Sequence, residues 1–402
     1  MNISALAVSG VLLLFAQTSF SAGMEKSSQT IMPFLESGNY AELGIAQLKA
    51  DISGQVQNQD SLAQIGISDF STGNLVNKNY LFITGAVKLQ LRPDLSVGFL
   101  FDKPFGTDLD YRYRPETVIG PLDIESVRVK FDSNNISIPV GYQPDAHWNF
   151  FAGPVLQTLK GEVELGGQNY YLLNGYTSDL KQDFSMGWLA GLSYQIPEIA
   201  FRTSLSYRSP VKHTFDVQEQ LPLATPVTLT GKTTVKTPQS VNFDIQTAVS
   251  TTDLLYASLR WVEWKDFYVQ PPTFQEVLNA YSVYDSSLKN VRMIQYNQNQ
   301  LSTKAGLIHK WNSDWSSAHE LSWDSGTDDS LSTLNPSNGY LGIGGGLIYH
   351  FNEKTFLAAG VHYVRFRKAS RQKSTDSNVI ASLSDAENNH AIIYGFKTGF
   401  HF

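Results

Sequence analysis

The end of the chain, residues 389–402, constrains the fold most. Phe402, Phe400, Thr398, Phe396, Tyr394 and Ile392 fall on one face of an extended strand. His401, Gly399, Lys397, Gly395 and Ile393 fall on the other. Side chains alternate between the faces of a strand, so one face is apolar and aromatic and the other mostly small or polar. On the edge of a soluble sheet, that aromatic ladder would face water and invite pairing with other chains. In a closed barrel within a membrane, the same face meets lipid and no edge is left open. The carboxyl end therefore points to a membrane-spanning barrel.

The chain has 402 residues, 42 % of them hydrophobic and only 17 % charged, with a mean hydropathy of -0.19. That is too polar for a bundle of membrane helices. Beyond about the first two dozen residues, no apolar run approaches the roughly 20 residues that a spanning helix needs. The 19 Tyr, 23 Phe and 7 Trp suit aromatic girdles at two interfaces. There is no cysteine, which excludes a disulfide framework, Cys-ligated zinc and a thiol nucleophile. Its absence suits folding in an oxidising compartment. The net charge of -7 gives no sign of a nucleic-acid partner.

Residues 8–20 are apolar, centred on Val11, Leu12, Leu13, Leu14 and Phe15, and small residues follow at Ser19, Ser21, Ala22 and Gly23. This reads as a secretory signal, residues 1–22, cleaved near 21–23. No Lys or Arg precedes the apolar run, a departure from the usual signal. Residues 23–37 are too few for a domain and are expected to form a short plug segment ahead of a barrel over 38–402.

Strand periodicity is plain at 39–53, where Ala41, Leu43 and Ile45 alternate with Tyr40, Glu42, Gly44 and Ala46, and again at 79–91. Short connections stand at 92–94, 143–148, 196–199, 250–253, 312–314 and 352–354. Long polar ones stand at 54–78, 106–121, 166–181, 216–231, 268–290, 326–338 and 368–389. The two kinds alternate and separate fourteen strands. Outer-membrane barrels have this pattern, with short periplasmic turns, long extracellular loops and an even strand number. The expected fold is thus all-β, a fourteen-stranded antiparallel transmembrane barrel in the bacterial outer membrane. Phe274, Val277, Leu278 and Tyr281 have helical spacing and predict a short helix in one long loop.

If aliphatic faces meet lipid, the lumen receives Glu42, Lys88, Asp102, Arg128, Lys130, Arg202, Arg208, Asp244, Arg260, Lys304 and His362. A Lys or Arg on the lipid face near the midplane would cost about 2–4 kcal/mol. Structural ion pairs explain such charges as readily as ligand contacts do. Inward Phe82, Tyr40, Leu100 and Trp264 would fill the lumen with apolar surface, which argues against a simple ion pore. No Gly-x-Ser-x-Gly, Walker or His-Glu-x-x-His motif occurs. The eight His show no metal-ligand spacing. His319 and Ser322 are close in sequence, but nothing joins them into a catalytic set. No enzymatic activity, cofactor or metal is expected.

Several stretches resemble the FadL family of outer-membrane long-chain fatty-acid and hydrocarbon transporters. They are Ser37-Gly38-Asn39-Tyr40-Ala41-Glu42, Phe101-Asp102-Lys103-Pro104-Phe105-Gly106, Lys236-Thr237-Pro238-Gln239-Ser240-Val241-Asn242, Arg260-Trp261-Val262-Glu263-Trp264 and Asn335-Pro336-Ser337-Asn338-Gly339-Tyr340. The resemblance implies a fourteen-stranded barrel for passive uptake of a hydrophobic small molecule, foremost a long-chain fatty acid. A hydrocarbon channel of the same family, or a non-specific porin or structural surface barrel, remains the alternative. The well-known members carry a plug of several dozen residues, and this chain has only 23–37 ahead of its first strand. Expected partners are the ligand, outer-membrane lipid and lipopolysaccharide, and the barrel-assembly machinery that reads the terminal strand. A monomer is expected.

Two site expectations follow. For a fatty-acid ligand, Arg128, Lys130, Arg202 and Arg260 are the candidates to meet the carboxylate. For exit, Asp102, Lys103, Pro104, Phe105 and Gly106 form the candidate lateral gate. Pro104 cannot donate to the ladder and Gly106 permits a bend. Leaving sideways spares a hydrophobic chain rehydration at about 0.8 kcal/mol per CH₂. Family members are understood to release ligand through a kinked third strand. Pro104 could instead simply end the strand at a loop, and Pro139 and Pro154 also stand in predicted strands.

Overall fold

The computed structural model describes residues 24–56, 63–64, 66–74, 80–117, 120–222, 227–327, 338–367, 383–384 and 389–402. The expected signal, 1–22, and Gly23 lie outside the described residues, as do parts of several long connections and residues 335–337 of the last motif.

Period-two alternation becomes fourteen antiparallel staves. They are β1 (Tyr40–Asp51), β2 (Tyr80–Arg92), β3 (Leu95–Asp102 and Gly106–Tyr113), β4 (Glu125–Ser137 and Val140–Tyr142), β5 (Trp148–Gly166), β6 (Tyr176–Ile196) and β7 (Phe201–Arg208 and Val211–Leu221). Then follow β8 (Val227–Thr237 and Ser240–Ala248), β9 (Asp253–Val262), β10 (Gln300–Lys310), β11 (Trp315–Asp324), β12 (Asn338–Asn352), β13 (Thr355–Arg367) and β14 (His390–His401). Neighbours in sequence are neighbours in the wall. The terminal β14 closes it on β1 in register from Tyr40↔His401 to Asp51↔His390. Closure leaves no main edge to aggregate.

The two faces of β14 divide as the alternation requires. Tyr394, Phe396 and Phe400 are exposed outward, and Ile393, Gly395, Lys397 and Gly399 are buried inward. The short turns are held by side chains that replace missing ladder partners. Asp145 accepts from the amides of His147 and Trp148, Asn312 from Asp314 and Trp315, and Asn352 from Lys354 and Thr355. Aromatic pairs crowd this rim, with Trp148 4.8 Å from Tyr194 and Trp315 4.9 Å from Tyr349. Such a belt marks a membrane interface.

Three long connections are shorter than the polarity of the sequence implies. Strands run on to Tyr113, to Gly166 and from Tyr176, and to Leu221 and from Val227. Towards the edge of the bilayer and beyond it the outer face of a strand accepts polar residues, so they do not end it. The predicted helix is present as α1 (Pro272–Tyr281). Glu219 of β7 caps it, accepting from the amides of Thr273 and Phe274. Inside this upper part the wall encloses an apolar core of Phe105, Trp264, Phe267, Tyr296, Phe274 and their neighbours.

Candidate functional site

The third stave is broken but does not end. Asp102 pairs with Asn135 and Gly106 pairs with Asp132, so residues 103–105 of β3 oppose only Ser133 and Asn134 of β4. This is a bulge at the position where Pro104 withdraws a donor. The bulge turns inward. Phe105 is buried with its ring edge-on to Trp264 at 5.6 Å. Ser133 Oγ holds the Phe105 backbone twice, accepting from its amide at 2.8 Å and donating to its carbonyl at 2.6 Å. Gly106 is required here, because a Cβ would lie 2.6 Å from the carbonyl oxygen of Phe131.

The break leaves a gap on the other side. β2 and β3 pair from Arg92↔Leu95 to Gly85↔Phe101. Among the described residues, no backbone pairing joins residues 80–84 of β2 to Gly106–Tyr113. The Tyr80 side chain spans this stretch. Tyr80 Oη donates to the Asp108 carbonyl at 2.6 Å and accepts from the Asp108 amide at 2.9 Å. The Lys26 ammonium lies 5.0 Å from the centre of the Tyr80 ring, within cation–π range. Lys103 and Asp132 form an ion pair at 3.2 Å beside the bulge.

Residues 24–37 cross the lumen and cover the break from inside. Glu25 bridges Phe105 in antiparallel fashion, with the Lys26 amide donating to the Pro104 carbonyl at 2.8 Å and the Gly106 amide donating to the Met24 carbonyl at 2.7 Å. Ser27 Oγ donates to Asp102 at 2.6 Å. Arg260 then gathers the segment. Its Nε donates to Glu25 at 2.6 Å, Nη1 to Asn242 Oδ1 at 2.6 Å and Nη2 to Gln29 Oε1 at 2.9 Å; Nη2 is also ion-paired with Glu25. Arg208 donates to the Gln29 carbonyl at 3.2 Å and to Ser137 Oγ at 2.7 Å. Gln29 has φ of 50°, a left-handed conformation that costs a side-chain-bearing residue about 1 kcal/mol. The segment ends in a turn, Met32–Leu35, whose Phe34 packs on Phe151, and in Glu36, paired with Arg202 at 3.3 Å. Burial pushes the carboxyls of Glu25 and Glu36 up, against the pull of Arg260 and Arg202 respectively. Burial pushes the Lys26 amine down to about 8.

The structure separates the four expected carboxylate anchors. Arg202 and Arg260 face the lumen and are occupied by Glu36 and Glu25. Arg128 and Lys130 do not face it. They sit on the outer face of β4, where Arg128 pairs with the exposed Glu164 at 3.5 Å and Lys130 stands opposite Glu162. Val127, Val129 and Phe131 take the inner face and are buried. Charged and aliphatic outward faces meet at this level, with Leu81 and Ile83 exposed on the nearby β2, as at the edge of the lipid, and the aliphatic face of β4 turns inward. Glu42, Lys88, Arg208, Lys304 and His362 are buried, as expected of lumenal residues, and Lys397 pairs with Glu42 at 2.6 Å. Tyr40, Phe82, Leu100 and Trp264 are buried too. His319 points outward, and Ser322 meets His362 at 2.9 Å instead. Two grooves of about 580 and 430 Å³ are lined in large part by outward aliphatic and aromatic residues such as Leu321, Ile343, Val87 and Phe99. The second reaches Gly85, Phe101 and Ile136, paired residues just before the break.

Sequence reasoning missed Tyr80, Ser133, Gln29 and Arg208 as parts of this assembly. The available signal was that Glu25 and Glu36 are the only carboxylates in residues 23–37, facing a lumen rich in arginine.

Fold and site together define an outer-membrane β-barrel whose wall is broken at the third strand and covered from within by its own amino-terminal segment. Residues 31–402 match the family model described as outer membrane protein transport protein (OMPP1/FadL/TodX), and the chain belongs to that family. Its location is the bacterial outer membrane. A FadL homologue from Pseudomonas aeruginosa has a similar fold, with a TM-score of 0.65 at 12 % identity, covering 92 % of each chain. The Pseudomonas putida toluene transporter TodX gives 0.58 at 13 %, covering 97 % of this chain and 100 % of that one. The Ralstonia pickettii toluene transporter TbuX gives 0.56 at 14 %, covering 96 % and 97 %. No curated protein matches the chain.

Proposed function

We propose that this barrel takes up hydrophobic small molecules, foremost long-chain fatty acids, and releases them sideways into the bilayer through the gap between β2 and β3. The observation that carries this reading is the inward bulge at residues 103–105, covered by the Glu25–Phe105 bridge. A wall in lipid must pair its backbone groups. A stretch without a backbone ladder among the described residues, held by the Tyr80 hydroxyl and covered by a removable segment, is where it opens at least cost. Asp102, Lys103, Pro104, Phe105 and Gly106 form the moving part. The apolar core around Trp264 and Phe105 receives the chain of the ligand from the extracellular side. Residues 24–37 act as a small plug that must yield before the ligand passes.

The named relatives include toluene transporters, and an aromatic hydrocarbon is the second reading. Buried Arg208, with no carboxylate at ion-pair distance among the described residues, favours an acidic ligand, whereas Arg202 and Arg260 already hold Glu36 and Glu25. Uptake of labelled oleate and labelled toluene, by cells with and without the protein, separates the two. Oleate uptake should depend on the protein. Dependence of toluene uptake alone would favour the hydrocarbon reading, and dependence of neither would refute the function.

A further inference from the structure

Two buried guanidinium groups, on β7 and β9, converge on the amino-terminal segment through one residue. Arg208 donates to the carbonyl of Gln29 and Arg260 to its side-chain oxygen. The carboxylate at this centre belongs to the protein itself. Glu25 Oε1 takes both the Nε and Nη2 contacts of Arg260. Its Oε2 is buried with no hydrogen-bond partner. Among the described residues, no carboxylate lies within ion-pair reach of Arg208. The site thus sets two guanidinium groups around one poorly seated carboxylate, with Asp102, held by Ser27, and Asp244 and Lys304 close enough to act on them electrostatically. A free carboxylate would bring two accepting oxygens to the same two forks, a geometry that arginine favours.

Glu25 is also mechanically placed. It lies between Met24 and Lys26, the two residues whose backbones pair with Gly106 and Pro104 at the break. Removing its side chain from Arg260 takes away the anchor that holds this bridge against β3. Gln29, held left-handed by the same contacts, relaxes when they are lost.

We propose that Glu25 occupies the head-group position of the empty channel, and that a carboxylate-bearing amphiphile opens the break by displacing it from Arg260 and Arg208. This inference rests on the proposed lateral release and makes the ligand's charge the trigger. An acid exchanges one anion for another at the arginines. A neutral chain of the same length has nothing to offer them and leaves the bridge closed.

The test uses the full chain in lipid nanodiscs with oleate and oleyl alcohol as probes. Binding of each is measured, together with hydrogen exchange at the Lys26 and Gly106 amides, which form the bridge. Saturating oleate should speed exchange at both amides about tenfold or more, and oleyl alcohol less than about twofold. Glu25→Gln should raise exchange without any ligand and reduce the difference between the two probes. Arg208→Gln should weaken oleate binding about tenfold and leave oleyl alcohol binding within about twofold of wild type. If both probes bind and speed exchange alike, or both bind and neither speeds it, the head-group trigger is refuted and lateral release stands. If the wild-type barrel binds neither probe, the proposed function falls as well.

Discussion

Replacing Tyr80 by Phe removes one oxygen atom from the wall, and the structure allows its effect to be worked out. The hydroxyl donates to the Asp108 carbonyl and accepts from the Asp108 amide. No backbone ladder lies behind it on this stretch among the described residues. Each hydrogen bond is worth about 0.5–1.5 kcal/mol net, so the pair holds the gap by about 1–3 kcal/mol. Closure would weaken by a factor of about 5–150. The ring itself stays, with its contact to Lys26, so the change reports on the hydroxyl alone. Hydrogen exchange at the Asp108 amide should accelerate by that factor while the β1–β14 ladder keeps its protection. Oleate uptake should rise wherever opening limits it. Asp108 exchange within about twofold of wild type would refute the idea that Tyr80 closes the gap.

Other consequences are open to direct measurement. Burial holds the Lys26 amine near 8 against an ordinary 10.5, so the docked segment binds fewer protons than the released one between those values, and closure gains stability as pH rises through that window. Exchange at Gly106, corrected for intrinsic rate, should fall from pH 8 to 10 in wild type but not in Lys26→Met. Glu219→Ala removes the acceptor for two amides at the start of α1 and should cost that helix about 1–2 kcal/mol, seen as faster exchange at Thr273 and Phe274; unchanged exchange would exclude the cap. Deleting Phe402 should lower the yield of inserted barrel, because it removes an exposed aromatic that ends the lipid-facing row of β14. Ser322 should resist a fluorophosphonate probe, since His362 Nδ1 stands 3.6 Å from Glu320, too far to complete a relay; labelling at Ser322 would reopen the question of catalysis.

The sequence made the barrel legible because alternation and turn spacing are local. Leu43 and Ile45 outward against Glu42 and Ala46 inward needs only period two and a membrane. The break was legible for the same reason, since Pro104 and Gly106 carry their constraints in their own covalent structure. What lay beyond reach was long-range or depended on height above the bilayer. Arg260 meets Glu25 across 235 positions, and no pattern links them. Arg128 and Lys130 follow the same alternation as lipid-spanning residues, but they stand level with the gap, where charge takes the outer face and the inward and outward preferences of their strand are exchanged. The strands past Gly106 and Val211 look like loops because polar side chains on their outer face mimic the composition of a loop.

The account's central claim is that ligand leaves through the gap between β2 and β3. The chain has no cysteine, so Tyr80→Cys with Asp108→Cys gives two unique thiols across the gap. A short bifunctional methanethiosulfonate can tie them, and a reductant can release them. Uptake of labelled oleate by the tied barrel should fall about tenfold or more and return on reduction. Equal uptake by the tied and released forms of the same folded barrel would contradict lateral exit at this site.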